Sequence, residues 1–213
     1  MFADRRGAGS RLAEHPGIGR QDWSDPVVLG LARGGVPVAV EVARALGAPL
    51  RVIVARKIGA PGNPELGVGA VTPAGPPYYD ERALRVLGLS SRDLEPACAA
   101  ERAEARRRVR RYHGGYEPAM LRGRDVLVVD DGLATGVTAT AALRAVRAAR
   151  PRRLVFAAPV CAPESAATLR DAADEVVCVA TPDEFASVGQ WYEDFAQTTD
   201  DEVVSIVTAA GST

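Results

Sequence analysis

Two adjacent acids, Asp130 and Asp131, directly follow four aliphatic residues at positions 126–129. Such a run predicts a buried strand, and the carboxyl end of a strand in a parallel sheet opens into a ligand crevice. Carboxylates there can accept hydrogen bonds from sugar hydroxyls, directly or through the water shell of a metal ion. The pair therefore indicates a site for a sugar diol, while an ordinary strand-to-helix turn with two solvated acids is the alternative.

A small-residue turn follows the acids and leads into a predicted helix. Small side chains let backbone amides approach an anion, the start of a helix adds about half a positive charge, and threonine hydroxyls add donors. The Gly-Lys-Ser/Thr ending of a nucleotide P-loop is missing. The acids and the turn together match a ribose 5-phosphate, whose phosphate would be bound by Ala134, Thr135, Gly136, Val137 and Thr138.

Short apolar runs alternate with segments of helical period along the chain, and both must position the acids. Strands are predicted at 27–32, 50–55, 126–129, 154–160 and 176–180, with a weaker one at 66–71. Helices are predicted at 36–46, 137–149 and 164–172. Continuous apolar strands separated by helices are typical of a parallel sheet covered on both faces, so the predicted class is α/β. A length of 213 residues, 47% of them hydrophobic, suits one domain.

An arginine-rich segment at 90–111 interrupts this alternation. Ser90 and Asp93 resemble a capping pair, and the Arg/Glu/Ala-rich stretch after them predicts an exposed helix inserted before the central strand. One interpretation is a solvated helix face with internal Glu–Arg pairs. The other is a rim that attracts an anionic substrate or packs a dimer.

Composition argues against several functions. The net charge of -1 gives no bulk attraction to nucleic acid or anionic membranes, and no apolar run approaches the ~20 residues of a membrane span. The charged N-terminus has no apolar signal core, which predicts a cytoplasmic protein. Cys98, Cys161 and Cys178 are far apart and lack metal-ligand spacing, so we expect buried free thiols in a reducing compartment.

The strand, the two acids and the Ala-Thr-Gly-x-Thr turn together resemble the phosphoribosyl diphosphate signature of type I phosphoribosyltransferases. Gly132 departs from that pattern, since an aliphatic residue is commoner there. The segments ARGGVPVA, ARKIGAPGNPELGVGAV, VDDGLATG and VGQWYEDF resemble bacterial stand-alone domains of the family, over roughly 27–199. The resemblance implies one domain over 1–213, with a Rossmann-like core at about 25–182, the inserted helix at about 90–113 and a small C-terminal hood at about 183–200.

The resemblance also implies donor-binding residues outside the acid motif. In that family the loop after the first core strand binds the diphosphate, often through a cis peptide, and here it contains Arg33, Gly34 and Gly35. Paired glycines allow close approach to an anion. Arg56 and Lys57 end the second strand, where the family often places a basic residue at the diphosphate. Lys57 is the one lysine among 26 basic residues, although a surface lysine without a role is the alternative.

Two further segments correspond to mobile or variable parts of such enzymes. Residues 59–69 occupy the place of a flexible catalytic loop, which closes to exclude water. The hood contains Phe185, Trp191 and Phe195, which either stack on a flat acceptor or form the hood's own small core. Ala134 stands where oxopurine enzymes carry an aspartate, which argues against a hypoxanthine/guanine enzyme of that design.

The implied reaction is displacement of diphosphate from phosphoribosyl diphosphate by a nitrogen acceptor, a nucleobase in nucleotide salvage. Asp130 and Asp131 would hold the ribose hydroxyls and favour the developing cation, while Arg33 and Lys57 would neutralise the leaving group. Mg²⁺ would be held mainly by substrate and water, near the two aspartates. Because we expect Asp131 in an open crevice, Asp131→Asn should cost little stability.

The implied partners are phosphoribosyl diphosphate, a small-molecule acceptor and a second subunit, since dimers are common in the family. Membranes and nucleic acid are disfavoured. Two other functions stay open: a non-enzymatic sensor of phosphoribosyl compounds, and a hydrolase or phosphorylase of a phosphoribosyl substrate. The sequence does not distinguish among the acceptors.

Overall fold

The computed structural model describes residues 1–112 and 116–211; His113, at the end of the predicted insertion, lies outside them. The strands are β1 Val27–Leu31, β2 Leu50–Ile53, β3 Arg56–Ala60, β4 Asn63–Val71, β5 Tyr78–Tyr79, β6 Asp125–Val129, β7 Arg153–Val160 and β8 Glu175–Ala180. The α-helices are α1 Arg5–Glu14, α2 Pro16–Gly19, α3 Gly35–Leu46, α4 Glu81–Leu87, α5 Glu95–Tyr112, α6 Val137–Ala148, α7 Pro163–Leu169 and α8 Asp200–Gly211. Short 3₁₀ helices span Ser91–Leu94, Pro118–Leu121 and Gly189–Trp191.

A five-stranded parallel sheet forms the centre of the protein, in the order β2–β1–β6–β7–β8. All four pairings in it are parallel. These strands are the ones that the strong apolar runs predicted, so the α/β class and the parallel sheet are confirmed. Strands β1 and β6 are neighbours, with Gly30 paired to Val129, so the loops after them open at the same edge of the sheet.

Alternate residues of the central strand belong to two separate hydrophobic cores. In β6, Leu127 and Val129 join the core that contains residues of α1, α3 and α8. Val126 and Val128 join the core that contains residues of α6 and α7. Successive side chains of a strand point to opposite faces, which produces this division. Helices therefore cover both faces of the sheet, and its strand ends remain as the place for a ligand.

A second sheet, with the order β3–β4–β5, is antiparallel. The strand predicted at 66–71 belongs to it, as the end of the longer β4, and is not a member of the parallel sheet. Only Pro61 and Gly62 join β3 to β4, and so short a connection permits only an antiparallel hairpin. The segment 59–69, predicted to be a flexible catalytic loop, thus forms a large part of a hairpin with an exposed tip.

The arginine-rich segment forms the predicted helix, α5, after a 3₁₀ turn with a capping box between Ser90 and Asp93. Glu104 pairs with Arg107 and Arg108, each at 2.7 Å, which confirms the internal Glu–Arg pairs. The prediction of an exposed helix is correct for one side only, because the helix packs against the hairpin. Its buried side chains are Cys98, Ala105 and Tyr112.

The prediction of free thiols is wrong for two of the cysteines. Cys161 and Cys178 form a disulfide, while Cys98 is free and buried as expected. Strands β7 and β8 are neighbours, and Ala158 pairs with Cys178, which brings Cys161 within 6.1 Å (Cα–Cα) of it. Sequence spacing does not reveal strand pairing, so it gives no sign of this contact. The cysteines therefore give no argument for a reducing compartment.

Candidate functional site

Asp130 and Asp131 lie directly after β6, at the carboxyl end predicted from the sequence. Oδ1 of Asp130 accepts a 2.9 Å hydrogen bond from the backbone N–H of Asp131. Oδ2 of Asp131 accepts a 2.8 Å charge-assisted hydrogen bond from Nε of Arg5. The Asp131 side chain is only 15% exposed. The acids thus lie at the ligand edge of the sheet, but Asp131 is far from being a solvated acid.

Burial controls the electrostatics of this pair. It raises the pKa of Asp130 well above its ordinary value, and the neighbouring Asp131 carboxylate raises that pKa further. Burial also raises the pKa of Asp131, although the Arg5 guanidinium opposes this by favouring the charged form. Two desolvated carboxylates side by side would be stabilised by any ligand that supplied hydroxyl donors or a cation.

The glycine loop after β1 lies against the acids. A Cβ atom added to Gly34 would lie 2.0 Å from Oδ2 of Asp131. A Cβ atom added to Gly35 would lie 2.4 Å from the carbonyl oxygen of Val129. The peptide bond between Ala32 and Arg33 is cis. The structure therefore brings the predicted diphosphate loop and the acid pair into direct contact, and this approach excludes a side chain at either glycine.

The side chain of Arg33 is held by Asp200, the first residue of α8. The distance from Nη1 of Arg33 to Oδ1 of Asp200 is 3.6 Å. The same carboxylate accepts a 2.7 Å hydrogen bond from the Tyr112 hydroxyl and lies 3.5 Å from Arg107 and 3.7 Å from Arg111. The Arg33 guanidinium is therefore paired with a carboxylate that also has three other donors near it.

The small-residue turn leaves the start of α6 open. Ala134 and Thr135 are exposed, and Gly136 has a φ of +77°, in the left-handed region that favours glycine. Gly136 precedes the first helical residue and has no side chain to cap the helix, so the amides at the start of α6 can bind an anion. Thr138, in the first turn, is half-buried. The segment that was predicted to bind phosphate thus has exposed residues, Ala134 and Thr135, just before α6.

The two basic residues of the hairpin have different environments. Nε of Arg56 forms a 2.7 Å ion pair with Glu101 of α5. Nζ of Lys57 donates a 2.9 Å hydrogen bond to the carbonyl oxygen of Glu65 and is 41% exposed. A Cβ atom added to Gly67 would lie 2.8 Å from Cδ of Lys57 and 3.7 Å from Cγ2 of Val137. The Lys57 side chain therefore lies near the start of α6, whereas Arg56 is committed to α5.

The hood aromatics form a small hydrophobic core together with the N-terminus. Its buried residues include Phe2 and Tyr192, and Phe185, Trp191 and Phe195 pack against them. The Phe2 and Tyr192 rings are 5.4 Å apart, and those of Tyr192 and Phe195 are 5.0 Å apart. Nε1 of Trp191 is buried without a hydrogen-bond partner in the described part of the chain. The alternative of a hood core therefore describes these rings better than free stacking surfaces.

Sequence reasoning missed two residues that contact the acids. Arg5 comes from α1, and its Nη1 also donates a 2.6 Å hydrogen bond to the carbonyl oxygen of Ala196 in the hood. The Tyr192 hydroxyl donates a 2.6 Å hydrogen bond to the backbone carbonyl of Asp131. No local signal marks Arg5, since it is one of many arginines and is 126 residues from Asp131. Tyr192 lies within VGQWYEDF, a segment that the resemblance had singled out.

The acid pair and the turn after it lie apart from the apolar cavity elsewhere in the fold. That cavity, of about 580 Å³, lies between α6 and the turn at 72–78, with Arg144 and Tyr116 among its lining residues. None of the residues 130–138 lines it. The chemistry-bearing side chains and the apolar cavity are therefore separate features.

The site combines a parallel sheet with an acid pair, a glycine loop and an uncapped helix start, and this combination can be compared with known protein families. The family model for the phosphoribosyl transferase domain matches residues 17–194, and the chain belongs to this family. The resemblance drawn from the acid motif is therefore confirmed.

Among its relatives is a protein of Mycobacterium tuberculosis named "Putative phosphoribosyl transferase", 42% identical over 210 residues, which are 99% of this chain and 47% of that protein. The chain thus spans about half the length of the curated relatives it matches. The crystal structure of the TT1426 protein from Thermus thermophilus matches over 98% of both chains, with a TM-score of 0.80 and 44% identity. The AQ2163 protein from Aquifex aeolicus is similar in fold alone, with a TM-score of 0.53 and 14% identity over 87% of this chain and 78% of that one.

Proposed function

We propose that this protein transfers the phosphoribosyl group of 5-phosphoribosyl 1-diphosphate to a nitrogen acceptor and releases diphosphate. The observation that carries the proposal is the contact between Gly34 and Asp131, which joins a loop suited to an anion to a pair of acids suited to a ribose diol. The start of α6, at Val137, follows those acids after the turn at 132–136. One ligand with a phosphate, a diol and a diphosphate matches all three features.

In this proposal Asp130 and Asp131 bind the two ribose hydroxyls. Each carboxylate accepts hydrogen bonds and carries negative charge toward C1, where an oxocarbenium-like cation develops as diphosphate leaves. The amides of the first turn of α6 hold the 5-phosphate, with the Thr135 and Thr138 hydroxyls as further donors. Held at both ends, the ribose presents C1 to the acceptor, so positioning supplies much of the rate.

The leaving diphosphate lies along the glycine loop in this proposal. Backbone N–H groups of Gly34 and Gly35 face it, and Lys57 supplies a mobile positive charge from the hairpin. Arg33 joins them when it exchanges Asp200 for the diphosphate. Arg56 stays with Glu101, which makes it a support for the hairpin rather than a donor ligand.

Magnesium fits this site as an ion carried by the donor. Within residues 1–112 and 116–211, no cluster of three or more His, Cys, Asp or Glu side chains is arranged to hold a metal ion. Asp130 and Asp131 offer two carboxylates, one of them paired with Arg5, which suits an ion that keeps most of its waters. Bound to the donor, Mg²⁺ would neutralise diphosphate charge. The two aspartates would orient the hydrated ion and the ribose hydroxyls together.

The acceptor enters beside the hood in this proposal, and we favour a nucleobase in nucleotide salvage. Phe185 and Trp191 shape that entrance as members of the hood core. Ala134 supplies no acid to the base, which disfavours the oxopurine design. A cytoplasmic homodimer acting on small molecules is part of the same proposal. Among the described residues, no helix is both long and apolar enough to cross a membrane.

The experiment that tests the proposal measures donor binding and turnover separately. Isothermal titration of phosphoribosyl diphosphate with Mg²⁺ reports binding, and diphosphate release with a panel of nucleobases reports transfer. Nucleotide product with a matching base supports the proposal. Donor binding without turnover on the whole panel favours the sensor, and ribose 5-phosphate as the product favours the hydrolase or phosphorylase. Absence of donor binding rejects the proposed function.

Lys57→Gln should weaken donor binding about tenfold, because it removes one charge-assisted contact with the diphosphate. The side chain is 41% exposed, so unfolding should change by less than about 0.5 kcal/mol. Lys57→Arg should recover part of the affinity. Arg82→Gln, an exposed change on α4, is the matched control and should leave the donor Kd unchanged. Equal donor affinities of the Lys57→Gln and Arg82→Gln proteins would show that Lys57 is a surface residue with no role in donor binding.

A further inference from the structure

Arg5 joins three parts of the protein at the acid pair. Its Nε donates to Oδ2 of Asp131 at 2.8 Å, and its Nη1 donates to the carbonyl oxygen of Ala196 at 2.6 Å. Its guanidinium lies 4.0 Å from the centroid of the Phe195 ring. The side chain is 12% exposed. A planar guanidinium can satisfy these contacts at the same time, whereas a lysine ammonium cannot.

The backbone around Arg5 is fixed by contacts on both sides. The Asp4 carboxylate accepts a 2.7 Å hydrogen bond from the N–H of Gly7 and caps α1. A Cβ atom added to Gly9 would lie 2.6 Å from the carbonyl oxygen of Val38, so α1 packs tightly on α3. The N–H of Phe2 donates to the carbonyl oxygen of Trp191 at 2.8 Å, which ties the N-terminus to the hood. Arg5 therefore approaches Asp131 from a rigid position.

The ion pair selects one orientation of the Asp131 carboxylate. Arg5 binds Oδ2, which leaves Oδ1 for a ligand. The charged groups that face Asp131 are Arg5 from α1 and the adjacent Asp130, and the Tyr192 hydroxyl donates to the backbone carbonyl of Asp131. Without the guanidinium, the two adjacent carboxylates would repel each other in a desolvated place, and Asp131 would lose its fixed direction.

We propose that Arg5 is a positioning residue that holds Asp131 ready for the ribose of the donor. The inference rests on the proposed function and extends it to a residue outside the acid, glycine and basic motifs. It also gives the N-terminal segment and the hood a common purpose. The N-terminal segment reaches the Asp131 carboxylate through Arg5, and the hood is bound to Arg5 through the carbonyl of Ala196 and to the backbone carbonyl of Asp131 through Tyr192.

The test compares substitutions at Arg5 and at its neighbour Arg6. Arg6 is 59% exposed and makes a 3.4 Å ion pair with Glu41, so it provides a matched control of the same type on the same helix. The donor Kd is measured with Mg²⁺ by calorimetry for Arg5→Gln, Arg5→Lys, Arg6→Gln and Arg6→Lys. Thermal unfolding of each protein reports whether it is folded.

We expect Arg5→Gln to weaken donor binding by about tenfold or more, as for loss of a hydrogen bond to a charged group. Arg5→Lys should be intermediate, because the ammonium keeps the charge but not the three contacts. The Arg6 variants should bind within about twofold of wild type. If Arg5→Gln fails to fold, the test compares the donor affinities of Arg5→Lys and Arg6→Lys, and Arg5→Lys should bind the donor more weakly.

A double-mutant cycle separates positioning from a general structural effect. If Arg5 acts through Asp131, each Arg5 substitution should add little to the loss already caused by Asp131→Asn. An undiminished effect in the Asp131→Asn background would overturn the proposal. So would an Arg5→Gln protein that binds the donor as well as, or more tightly than, Arg6→Gln. A wild-type protein that binds no donor would reject the proposed function together with this role, whereas normal wild-type binding with inert Arg5 variants rejects this role alone.

Discussion

Asp130→Asn should make the protein more stable while it weakens donor binding about 100-fold. At neutral pH the half-buried Asp130 carboxylate is desolvated beside Asp131, and both effects raise its pKa. Asparagine removes that charge but keeps an oxygen for the 2.9 Å hydrogen bond from the N–H of Asp131. We expect a gain of about 1–2 kcal/mol in the free energy of unfolding, as for other trade-offs at functional sites. The lost charged acceptor accounts for the lower donor affinity.

The stability difference between Asp130→Asn and the wild-type protein should depend on pH. A carboxyl group whose folded pKa is raised binds its proton more tightly in the folded state than in the unfolded state. Its destabilising effect is therefore absent below the unfolded pKa and grows as pH rises through the folded pKa. The stability advantage of Asp130→Asn should accordingly be small at acidic pH and increase toward neutral pH. Thermal unfolding of both proteins across that range measures it, and a wild-type protein that is the more stable at neutral pH would contradict the account.

Asp131→Asn is the matched comparison and should destabilise the protein, whereas Asp130→Asn should stabilise it. Asp131 carries the ion pair with Arg5, whose side chain is 12% exposed, so the substitution leaves a half-satisfied guanidinium. We expect a loss of about 1–3 kcal/mol in the free energy of unfolding. The expectation of little cost assumed an exposed Asp131, and the observed burial and ion pair revise it. Both variants should lose donor affinity, so the same functional defect should accompany opposite changes in stability.

Gly35→Ala should disrupt the site by forcing apart two backbone segments. The new Cβ would lie 2.4 Å from the carbonyl oxygen of Val129 and 2.8 Å from Cα of Asp130. These are backbone atoms at the end of the central strand, so they cannot rotate away as a side chain can. We expect a loss of about 1–3 kcal/mol in the free energy of unfolding, typical of overpacking, and donor binding below detection.

The stabilities of Gly34→Ala and Gly211→Ala provide comparisons for that of Gly35→Ala. At Gly34 the new methyl would meet the side chain of Asp131, which can rotate, so Gly34→Ala should cost less stability while breaking the Arg5–Asp131 pair. At Gly211 a Cβ would meet nothing within 4 Å, so Gly211→Ala should be neutral. Chemical denaturation of the three proteins checks the order. A Gly35→Ala protein as stable as Gly211→Ala would show that the loop does not touch the strand end.

The sequence predicted those parts of the fold that depend on neighbours along the chain. The apolar run before Asp130 and the helical period after Gly136 determined β6 and α6, and the structure contains both. The antiparallel hairpin was missed because the run at 66–71 has the composition of a buried strand, while its direction depends on the two-residue connection at Pro61 and Gly62.

The contacts around the acids could not be predicted in the same way. Arg5 and Asp131 are 126 residues apart, and the pairing of Cys161 with Cys178 follows from the order of β7 and β8. The ion pair of Arg33 with Asp200 likewise depends on where α8 returns to the sheet. Such contacts are products of tertiary packing, so residue types and spacing indicate the chemistry of the site but not the partners that hold it.

A crystal structure of the protein with phosphoribosyl diphosphate and Mg²⁺ tests the central claim most directly. The account predicts the two ribose hydroxyls within hydrogen-bond distance of Asp130 and Asp131, the 5-phosphate against residues 134–138 and the diphosphate along Gly34 and Gly35. A donor bound in the apolar cavity beside Arg144, or one whose ribose does not touch either aspartate, would contradict it.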